Sequence, residues 1–313
     1  MSDKRATREA FGATLVELAN EGIDVVVVEA DLSKSTTTAT FEKAYPTRFF
    51  NAGIAEQNMI GTAAGLAVGG KVAFTGSFAV FATGRAYDQV RNTVCYAGLN
   101  VKLCPTHSGI TVGPDGGSHQ MVEDIALMRV LPGMRVLVPA DARAAAAAIR
   151  VAATTPGPFY VRLGRAAVPV IYDEGFTFEL GRAYVLREGT DVTIASCGVM
   201  VERALAAAAL LAAEGVSAEV LDVATIKPID VATIVASVTK TGAIVTAEEH
   251  SIIGGLGSAV AEVIGENVPA PLRRVGVKDV FGTSGDPEEL MVHYGLTATD
   301  IASAAREAMA ARR

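Results

Sequence analysis

Short β-branched runs that alternate with longer helical patterns constrain the fold of this chain more than any other feature. The clearest run is DVVVVE at 24–29, and similar runs recur along both halves of the sequence. Such alternation is typical of β-α-β units, in which parallel strands form a sheet flanked by helices. The sequence therefore predicts the α/β class with mainly parallel sheets. The predicted strands are 24–29, 49–53, 71–75, 100–104, 134–139, 158–163, 191–197, 218–223, 242–247 and 273–277. The predicted helices are 6–20, 55–68, 78–97, 118–130, 141–153, 200–214, 230–238, 256–266 and 286–312.

Length and a break in this pattern predict two domains. The chain has 313 residues, about twice the size of a common domain. The segment 164–187 loses the helical period and carries Pro169, Gly175 and Gly181, which favours a linker or an edge hairpin. We therefore expect a first domain at 1–166, a linker at 167–187 and a second domain at 188–313.

Composition excludes several classes of protein. Lys and Arg number 27 against 34 Asp and Glu, and no basic run suits the binding of nucleic-acid phosphates. The longest apolar stretch, 204–213, is half of the about 20 residues that a membrane span needs, and the N-terminus lacks the apolar core of a secretion signal. Cys95, Cys104 and Cys197 form no C-x-x-C, so we expect buried thiols in a reducing cytoplasm and neither disulfides nor a metal site.

The motif NAGIAEQNM at 51–59 places a carboxylate, Glu56, in the first turn of a predicted helix that follows a predicted strand. Ligands of open parallel sheets bind beyond the carboxyl ends of the strands, where Glu56 is expected to lie. The simpler interpretation is that Glu56 only complements the helix macrodipole. Taken alone, this residue does not decide between the two.

A polar, glycine-rich loop, THSGITVGPDGGSHQ at 106–120, follows the fourth predicted strand. It carries His107 and His119, two of the four histidines, with Asp115 between them. Glycine lets the backbone approach a ligand closely, and these side chains can orient hydroxyls or move protons near neutral pH. The alternative is a flexible connection in which Ser118 caps the next helix. We favour a functional loop, because loops carry binding and catalytic residues.

Phe78 and Phe81 follow the third predicted strand at a spacing that puts them on one helix face. Such a pair either packs in the core or offers a flat face to a heteroaromatic ring. The residues alone leave both interpretations open.

Taken in order, these motifs resemble those of transketolase. The elements are GIAEQNM, SFAVF and THSGITVGPDGGSHQ, then KPID at 227–230, EEH at 248–250 and GGLGS at 254–258. The resemblance covers almost the whole chain and implies a pyrimidine-binding domain followed by a transketolase C-terminal domain. It implies thiamine diphosphate-dependent transfer of a two-carbon ketol unit from a ketose phosphate to an aldose phosphate, as in pentose phosphate metabolism.

The resemblance assigns four residues to the cofactor. Glu56 matches the carboxylate that hydrogen-bonds the aminopyrimidine ring and so activates the cofactor. Phe78 and Phe81 match the aromatic wall against which that ring stacks, and Asp31 matches a position near it. One departure is Gly84, which stands where the family often has a third aromatic residue.

The resemblance assigns further residues to the sugar. His107, Asp115 and His119 match positions that contact the hydroxyl groups, and the two histidines assist in proton transfer. Arg165, or else Arg162, matches a position that holds the sugar phosphate; the sequence leaves this choice open.

A second departure concerns the start of the chain. Phe11 stands where the resemblance leads us to expect a small hydroxyl residue that helps to bind phosphate. This departure implies that the substrates differ from the usual pentose and hexose phosphates.

A missing motif points to a second chain. Family members hold Mg²⁺ and the diphosphate with a G-D-G motif on a separate N-terminal domain, whereas the one Gly-Asp here, at 285–286, is followed by Pro287. The chain therefore resembles the C-terminal subunit of a split transketolase, with Mg²⁺ bound on the partner subunit. Because the cofactor then spans two subunits, an α₂β₂ assembly is the simplest expectation.

Two other functions stay open. The beta subunit of a 2-oxo acid dehydrogenase decarboxylase shares the two-domain plan and the glutamate, although two histidines around an aspartate suit a polyol better. A non-catalytic regulatory or binding module could also use this fold.

Overall fold

The computed structural model of the protein describes residues 3–312. Within that range the chain forms two larger sheets, one strand pair and the helices that cover them. The strands are β1 Lys4–Ala6, β2 Val25–Glu29, β3 Phe49–Asn51, β4 Val72–Gly76, β5 Val101–Leu103, β6 Arg135–Leu137, β7 Phe159–Val161, β8 Ala167–Pro169, β9 Tyr184–Arg187, β10 Val192–Ser196, β11 Ala218–Asp222, β12 Thr225–Lys227, β13 Ile244–Ser251 and β14 Leu272–Val277. The α-helices are α1 Glu9–Asn20, α2 Ser33–Thr36, α3 Ala39–Ala44, α4 Glu56–Val68, α5 Asp124–Arg129, α6 Ala142–Thr154, α7 Met200–Ala213, α8 Val231–Thr241, α9 Leu256–Asn267, α10 Pro287–His293 and α11 Ala298–Ala310.

The first sheet has the strand order β12-β6-β7-β5-β4-β2-β3. Its strands run parallel, apart from β12, which pairs antiparallel with β6. Every residue of β2 is buried, as expected of a central parallel strand covered by helices on both faces. The alanine-rich helix α6 begins after Asp141, whose carboxylate accepts the Ala144 N–H at 2.8 Å and caps the helix.

The second sheet has the order β14-β13-β10-β11-β9, with β9 antiparallel to β11 and the other pairs parallel. The predicted α/β class is therefore confirmed. The two halves of the chain interlock, because β12 comes from the second half and joins the first sheet, while one hydrophobic cluster contains residues of both halves. In the 164–187 segment, β8 pairs antiparallel with β1, and β9 joins the second sheet.

Three predicted helices differ from the structure. The helix predicted at 118–130 is limited to α5, because Met121 forms a bridge with Ser108 and its backbone oxygen accepts the Gly109 N–H at 2.8 Å, which holds the residues before α5 in the loop. The 286–312 helix is two helices, because Gly295 has a φ of 66° and Thr297 starts α11 with a capping box. The 78–97 helix includes π-helical turns at Val80–Arg85 and Gln89–Cys95.

Among residues 3–312, none of the helices combines the length and the hydropathy that a bilayer crossing demands.

Candidate active site

The predicted site residues follow the carboxyl ends of neighbouring parallel strands in the first sheet. Asp31 follows β2, Glu56 follows β3, Phe78 follows β4, His107 follows β5 and Arg165 follows β7. The carboxyl ends of parallel strands meet at one edge of a sheet, and this edge is where open α/β sheets bind ligands. The topology therefore gathers residues that are more than a hundred positions apart in the sequence.

Glu56 begins helix α4 and is 1% exposed. Its Oε2 accepts a hydrogen bond from Nη1 of Arg85 at 2.8 Å, and the Arg85 side chain is 49% exposed. The same guanidinium lies over Phe81, with its central carbon 4.6 Å from the ring centroid. The sequence reasoning missed Arg85, because its contact with Glu56 spans 29 residues and no local pattern announces it.

Four aromatic rings form one cluster beside this carboxylate. The rings of Phe78 and Phe81 are near parallel, with an interplanar angle of 16° and centroids 6.0 Å apart. His107 stacks on Phe78 at 3.7 Å, and His119 meets the Phe81 ring edge-on at 5.4 Å. The structure thus brings the predicted cofactor wall and the two predicted sugar-contacting histidines into direct contact. Because Phe81 is only partly buried, the cluster keeps an accessible face.

His107 is held as a neutral imidazole. The residue is 3% exposed, and its Nδ1 lies 2.7 Å from Oγ1 of Thr106. Burial, followed by the positive charges of Arg8 and Arg165, lowers the pKa of His107 to about 3. At neutral pH, His107 can therefore donate or accept a hydrogen bond without carrying a charge.

Arg165 lies in a cleft of about 440 Å³ together with Arg8. Nη1 of Arg165 lies 3.4 Å from Oδ1 of Asp115. Arg8 donates to the backbone oxygen of Ser35 at 2.7 Å, while its Nε is buried with no hydrogen-bond partner in the described chain. Burial and the neighbouring charge of Arg165 lower the pKa of the Arg8 guanidinium. Two arginines that face one cleft, one with an unused donor, form a site suited to an anion.

Arg162 does not share this role. It is buried, and it binds the carboxylate of Asp124 through Nε at 2.8 Å and through Nη2 at 3.1 Å. Burial lowers the pKa of Arg162, but the charge of Asp124 outweighs this effect and raises that pKa above its usual value. The structure thus separates the two arginines between which the sequence left the choice open: Arg165 reaches the cleft, and Arg162 forms a buried ion pair.

Two further residues do not join the cluster. Asp31 accepts a hydrogen bond from Nδ2 of Asn51 at 3.0 Å, which links two neighbouring strand ends, and no hydrogen bond among residues 3–312 ties it to the aromatic rings. Phe11 is fully buried and packs against Phe74 in the core of the first domain, so it does not line the cleft. The expectation that Phe11 stands at a phosphate-binding position is therefore wrong, and the sequence analysis missed Arg8, which lines the cleft.

The three cysteines, Cys95, Cys104 and Cys197, are buried free thiols, as predicted. Within the described range, His, Cys, Asp and Glu side chains form no group of three or more that could hold a metal ion.

These residues fit one half of thiamine diphosphate. An aminopyrimidine needs a carboxyl group at its ring nitrogen and an aromatic surface, and Glu56 stands beside the stacked rings of Phe78 and Phe81. Arg8 and Arg165 line one cleft, and their positive charges act on His107.

Family models identify both halves of the chain. The model "Transketolase, pyrimidine binding domain" matches residues 3–170, and the model "Transketolase, C-terminal domain" matches residues 181–301. The chain belongs to the transketolase family. Members of this family depend on thiamine diphosphate.

Transketolase relatives of similar length share about half of the sequence. A putative transketolase C-terminal section of Methanocaldococcus jannaschii is 50% identical over 97% of this chain and 96% of its own length. A 6-deoxy-6-sulfo-D-fructose transketolase subunit of Clostridium sp. is 48% identical, covering 96% of this chain and 93% of that subunit.

Solved transketolase structures agree with this assignment. A split gene transketolase described as an inactive beta4 tetramer is 53% identical, with a TM-score of 0.92 and coverage of 99% of this chain and 100% of that one. Transketolase from Leishmania mexicana is 25% identical with a TM-score of 0.83, and this chain spans 46% of it. The chain therefore matches the whole of the split gene transketolase chain and about half of the longer Leishmania mexicana enzyme.

Proposed function

We propose that this chain is the C-terminal subunit of a two-chain transketolase, which transfers a two-carbon ketol unit from a ketose phosphate to an aldose phosphate. The observation that carries the proposal is a chain of contacts that ends beside the charges of the arginine cleft. It runs from the buried carboxylate of Glu56 through the guanidinium of Arg85 to the rings of Phe81, Phe78, His119 and His107, and the positive charges of Arg8 and Arg165 act on His107. A ring cofactor requires a carboxylate and an aromatic wall. A sugar phosphate beside it requires polar groups for its hydroxyls and then an anion site, and the groups of this chain follow one another in that spatial order.

Glu56, Phe78 and Phe81 would hold the aminopyrimidine half of the cofactor, with Asp31 at the adjoining strand end. When bound, thiamine diphosphate supplies a nucleophilic carbon that carries the two-carbon unit. The role of Glu56 is to hydrogen-bond the ring nitrogen and share a proton with it, which requires the carboxyl group to be shielded from water. Its 1% exposure supports this role.

His107, Asp115 and His119 would contact the sugar hydroxyls, and Arg165 and Arg8 would bind the phosphate. A neutral His107 suits hydrogen bonds to hydroxyl groups, while the two guanidinium groups suit a doubly charged anion. The identity of the donor and acceptor stays open, since related subunits are named for a sulfo-sugar and for apulose 4-phosphate.

The diphosphate and Mg²⁺ would be held by a separate N-terminal subunit, and the simplest complex is α₂β₂. This proposal is supported by relatives of similar length that are named as transketolase subunits and by the similarity to a split gene transketolase. We also propose that the segment 167–187 divides the chain into a first domain, 1–166, and a second domain, 188–313.

The beta subunit of a 2-oxo acid dehydrogenase decarboxylase is the alternative enzyme. The two arginines in the cleft favour a phosphorylated sugar over a 2-oxo acid.

The decisive experiment starts with co-purification of this chain and its partner from the native cell. The companion is expected to carry the G-D-G motif, and the complex with Mg²⁺ and thiamine diphosphate is expected to cleave ketose phosphates. Decarboxylation of 2-oxo acids by the same complex would support the alternative enzyme. If the chain alone binds the cofactor tightly in the presence of Mg²⁺ and is active, the two-subunit proposal is wrong.

A further inference from the structure

The glycines of the 106–120 loop face the second domain of the chain. A Cβ atom at Gly109 would overlap the carboxyl group of Glu249, and one at Gly117 would overlap the backbone oxygen of Gly282. At Gly113 a Cβ atom would lie 3.1 Å from the Pro287 ring. The expectation that these glycines let the backbone approach a ligand is therefore incomplete, because at these positions they allow the second domain to approach.

Glu249 makes the central contact. It lies on β13, is 3% exposed, and its Oε1 accepts the backbone N–H of Thr111. Its backbone oxygen accepts a hydrogen bond from Nη2 of Arg162 at 3.0 Å, so the buried ion pair of the first domain is joined to the same strand. Burial raises the pKa of Glu249, and the charge of Arg162 opposes this effect.

Further contacts surround this one. Nε2 of Gln120, at the end of the loop, donates to the backbone oxygen of Thr283 at 2.9 Å and to that of Ile110 at 3.1 Å. Oγ of Ser284 donates to the backbone oxygen of Pro114 at 2.5 Å. Ile110 is fully buried in a hydrophobic cluster made mainly of second-domain residues. The loop is thus fixed at its middle and at its end by the second domain.

We propose that Glu249 is a positioning residue for the substrate end of the active site: by holding the Thr111 amide, it fixes the backbone between His107 and His119. This inference rests on the proposed function and extends it. The second domain, which supplies none of the proposed cofactor or sugar contacts, thereby determines where both histidines stand. The free energy of a hydrogen bond to a buried carboxyl group is large enough to hold a loop in one conformation.

The test uses the complex of this chain with its partner and three variants: Glu249→Ala, Glu249→Gln and Glu248→Ala. Glu248 is a matched control, because it is 1% exposed, burial raises its pKa too, and it accepts two backbone N–H groups, those of Leu256 at 2.7 Å and Gly257 at 2.8 Å. It holds helix α9 and makes no hydrogen bond to the 106–120 loop in the described chain.

We expect Glu249→Ala to raise the KM for the ketose phosphate about tenfold or more, with the apparent constant for thiamine diphosphate changed less than about twofold. Glu249→Gln is expected to restore most of the loss, because the amide oxygen still accepts the Thr111 N–H. Glu248→Ala is expected to lower thermal stability without changing the KM for the sugar. The inference would be overturned if Glu249→Ala changed the KM for the sugar and the apparent constant for thiamine diphosphate equally. It would also be overturned if Glu248→Ala raised the KM for the sugar far more than the constant for the cofactor.

Amide hydrogen exchange of the 106–120 peptide in the complex separates this inference from the proposed function. Exchange is expected to quicken about tenfold in Glu249→Ala and to stay at the wild-type rate in Glu248→Ala. If Glu249→Ala does not fold, Glu249→Asp replaces it, because the shorter side chain keeps the carboxyl group but moves it away from the Thr111 N–H. A smaller increase of about two- to threefold is then expected in both exchange and KM. Unchanged exchange in the variant used overturns the positioning role. Faster exchange in a complex that transfers no ketol unit supports the positioning of the loop and contradicts the proposed function alone.

Discussion

The two ends of the candidate site differ in how completely this chain builds them. At the cofactor end, the carboxylate of Glu56 makes one side-chain hydrogen bond within residues 3–312, to a half-exposed arginine, and the neighbouring Gly84 is exposed. At the substrate end, residues 106–113 and Gln120 of the 106–120 loop are buried and make contacts with both domains, while Asp115 and Ser118 are exposed. The comparison teaches that the second domain of this chain fixes much of the 106–120 loop, whereas the surroundings of Glu56 include exposed residues that a second subunit could cover, as the proposed sharing of the cofactor requires.

Glu56→Gln tests the cofactor end with the largest expected effect. We expect kcat of the complex to fall about 10²- to 10⁴-fold, because glutamine keeps the shape and one hydrogen bond but cannot share a proton. Steady-state ketol transfer measures the loss, and sedimentation shows whether the complex still assembles. Turnover close to that of the wild type would remove Glu56 from the mechanism.

Substitution of the two arginines tests the substrate end, where one lies in the cleft and the other in the core. Arg165→Ala is expected to raise the KM for the sugar phosphate about 10- to 100-fold with little change in stability, because it removes a charged donor from the cleft. Arg162→Ala is expected to lower the free energy of unfolding by about 3–5 kcal/mol, because Asp124 would stay buried without its partner. Kinetics and chemical unfolding of both variants distinguish the roles. The opposite pattern would show that Arg162 binds the phosphate.

The pH dependence of stability tests how firmly the substrate end is closed. The pKa of His107 is lowered to about 3 in the folded chain from an ordinary value of 6.5. Between pH 6.5 and about 3, His107 is therefore protonated in the unfolded chain but stays neutral in the folded chain. The free energy of unfolding consequently decreases as the pH falls through this range, by at most about 1.4 kcal/mol per pH unit. His107→Gln is expected to flatten the slope between pH 6.5 and 4, whereas the exposed His293→Gln keeps it. Equal slopes in the wild type and His107→Gln would contradict the burial of His107.

Arg85→Ala sharpens the comparison with the smallest expected effect. The Arg85 guanidinium forms an ion pair with the Glu56 carboxylate, to which the cofactor would bind. Removal of the guanidinium is therefore expected to tighten thiamine diphosphate binding to the complex about 1.5- to 5-fold. Calorimetric titration measures the affinity. The control is Arg91→Ala, an exposed arginine whose side chain donates to Asn92 instead of Glu56. Weaker binding in Arg85→Ala would show that the arginine contacts the cofactor rather than competing with it.

The strands of the first sheet could be predicted from sequence because β-branched runs are local signals that tertiary packing reinforces. The run at 24–29 is β2 and the runs at 71–75 and 158–163 are β4 and β7, each within one or two residues. The helix predicted at 118–130 begins too early, because long-range contacts that no local pattern announces hold its first residues: Met121 bridges to Ser108 and Gln120 bonds to Thr283 of the second domain. Strand β12, which leaves its own half to join β6, has no local signal either.

The sequence by itself determined the α/β class, the position of Glu56 at a strand-to-helix junction and the family, since these depend on periodicity and short motifs. Only the tertiary structure decided which arginine lines the cleft, that Arg8 joins Arg165 there, that Arg85 pairs with Glu56 and that Glu249 accepts the Thr111 N–H of the 106–120 loop. The physical reason is that burial and pairing depend on residues far apart in the chain. Arg162 and Arg165 are three positions apart, yet one lies in the core and the other in a cleft, and no local sequence pattern distinguishes these two environments.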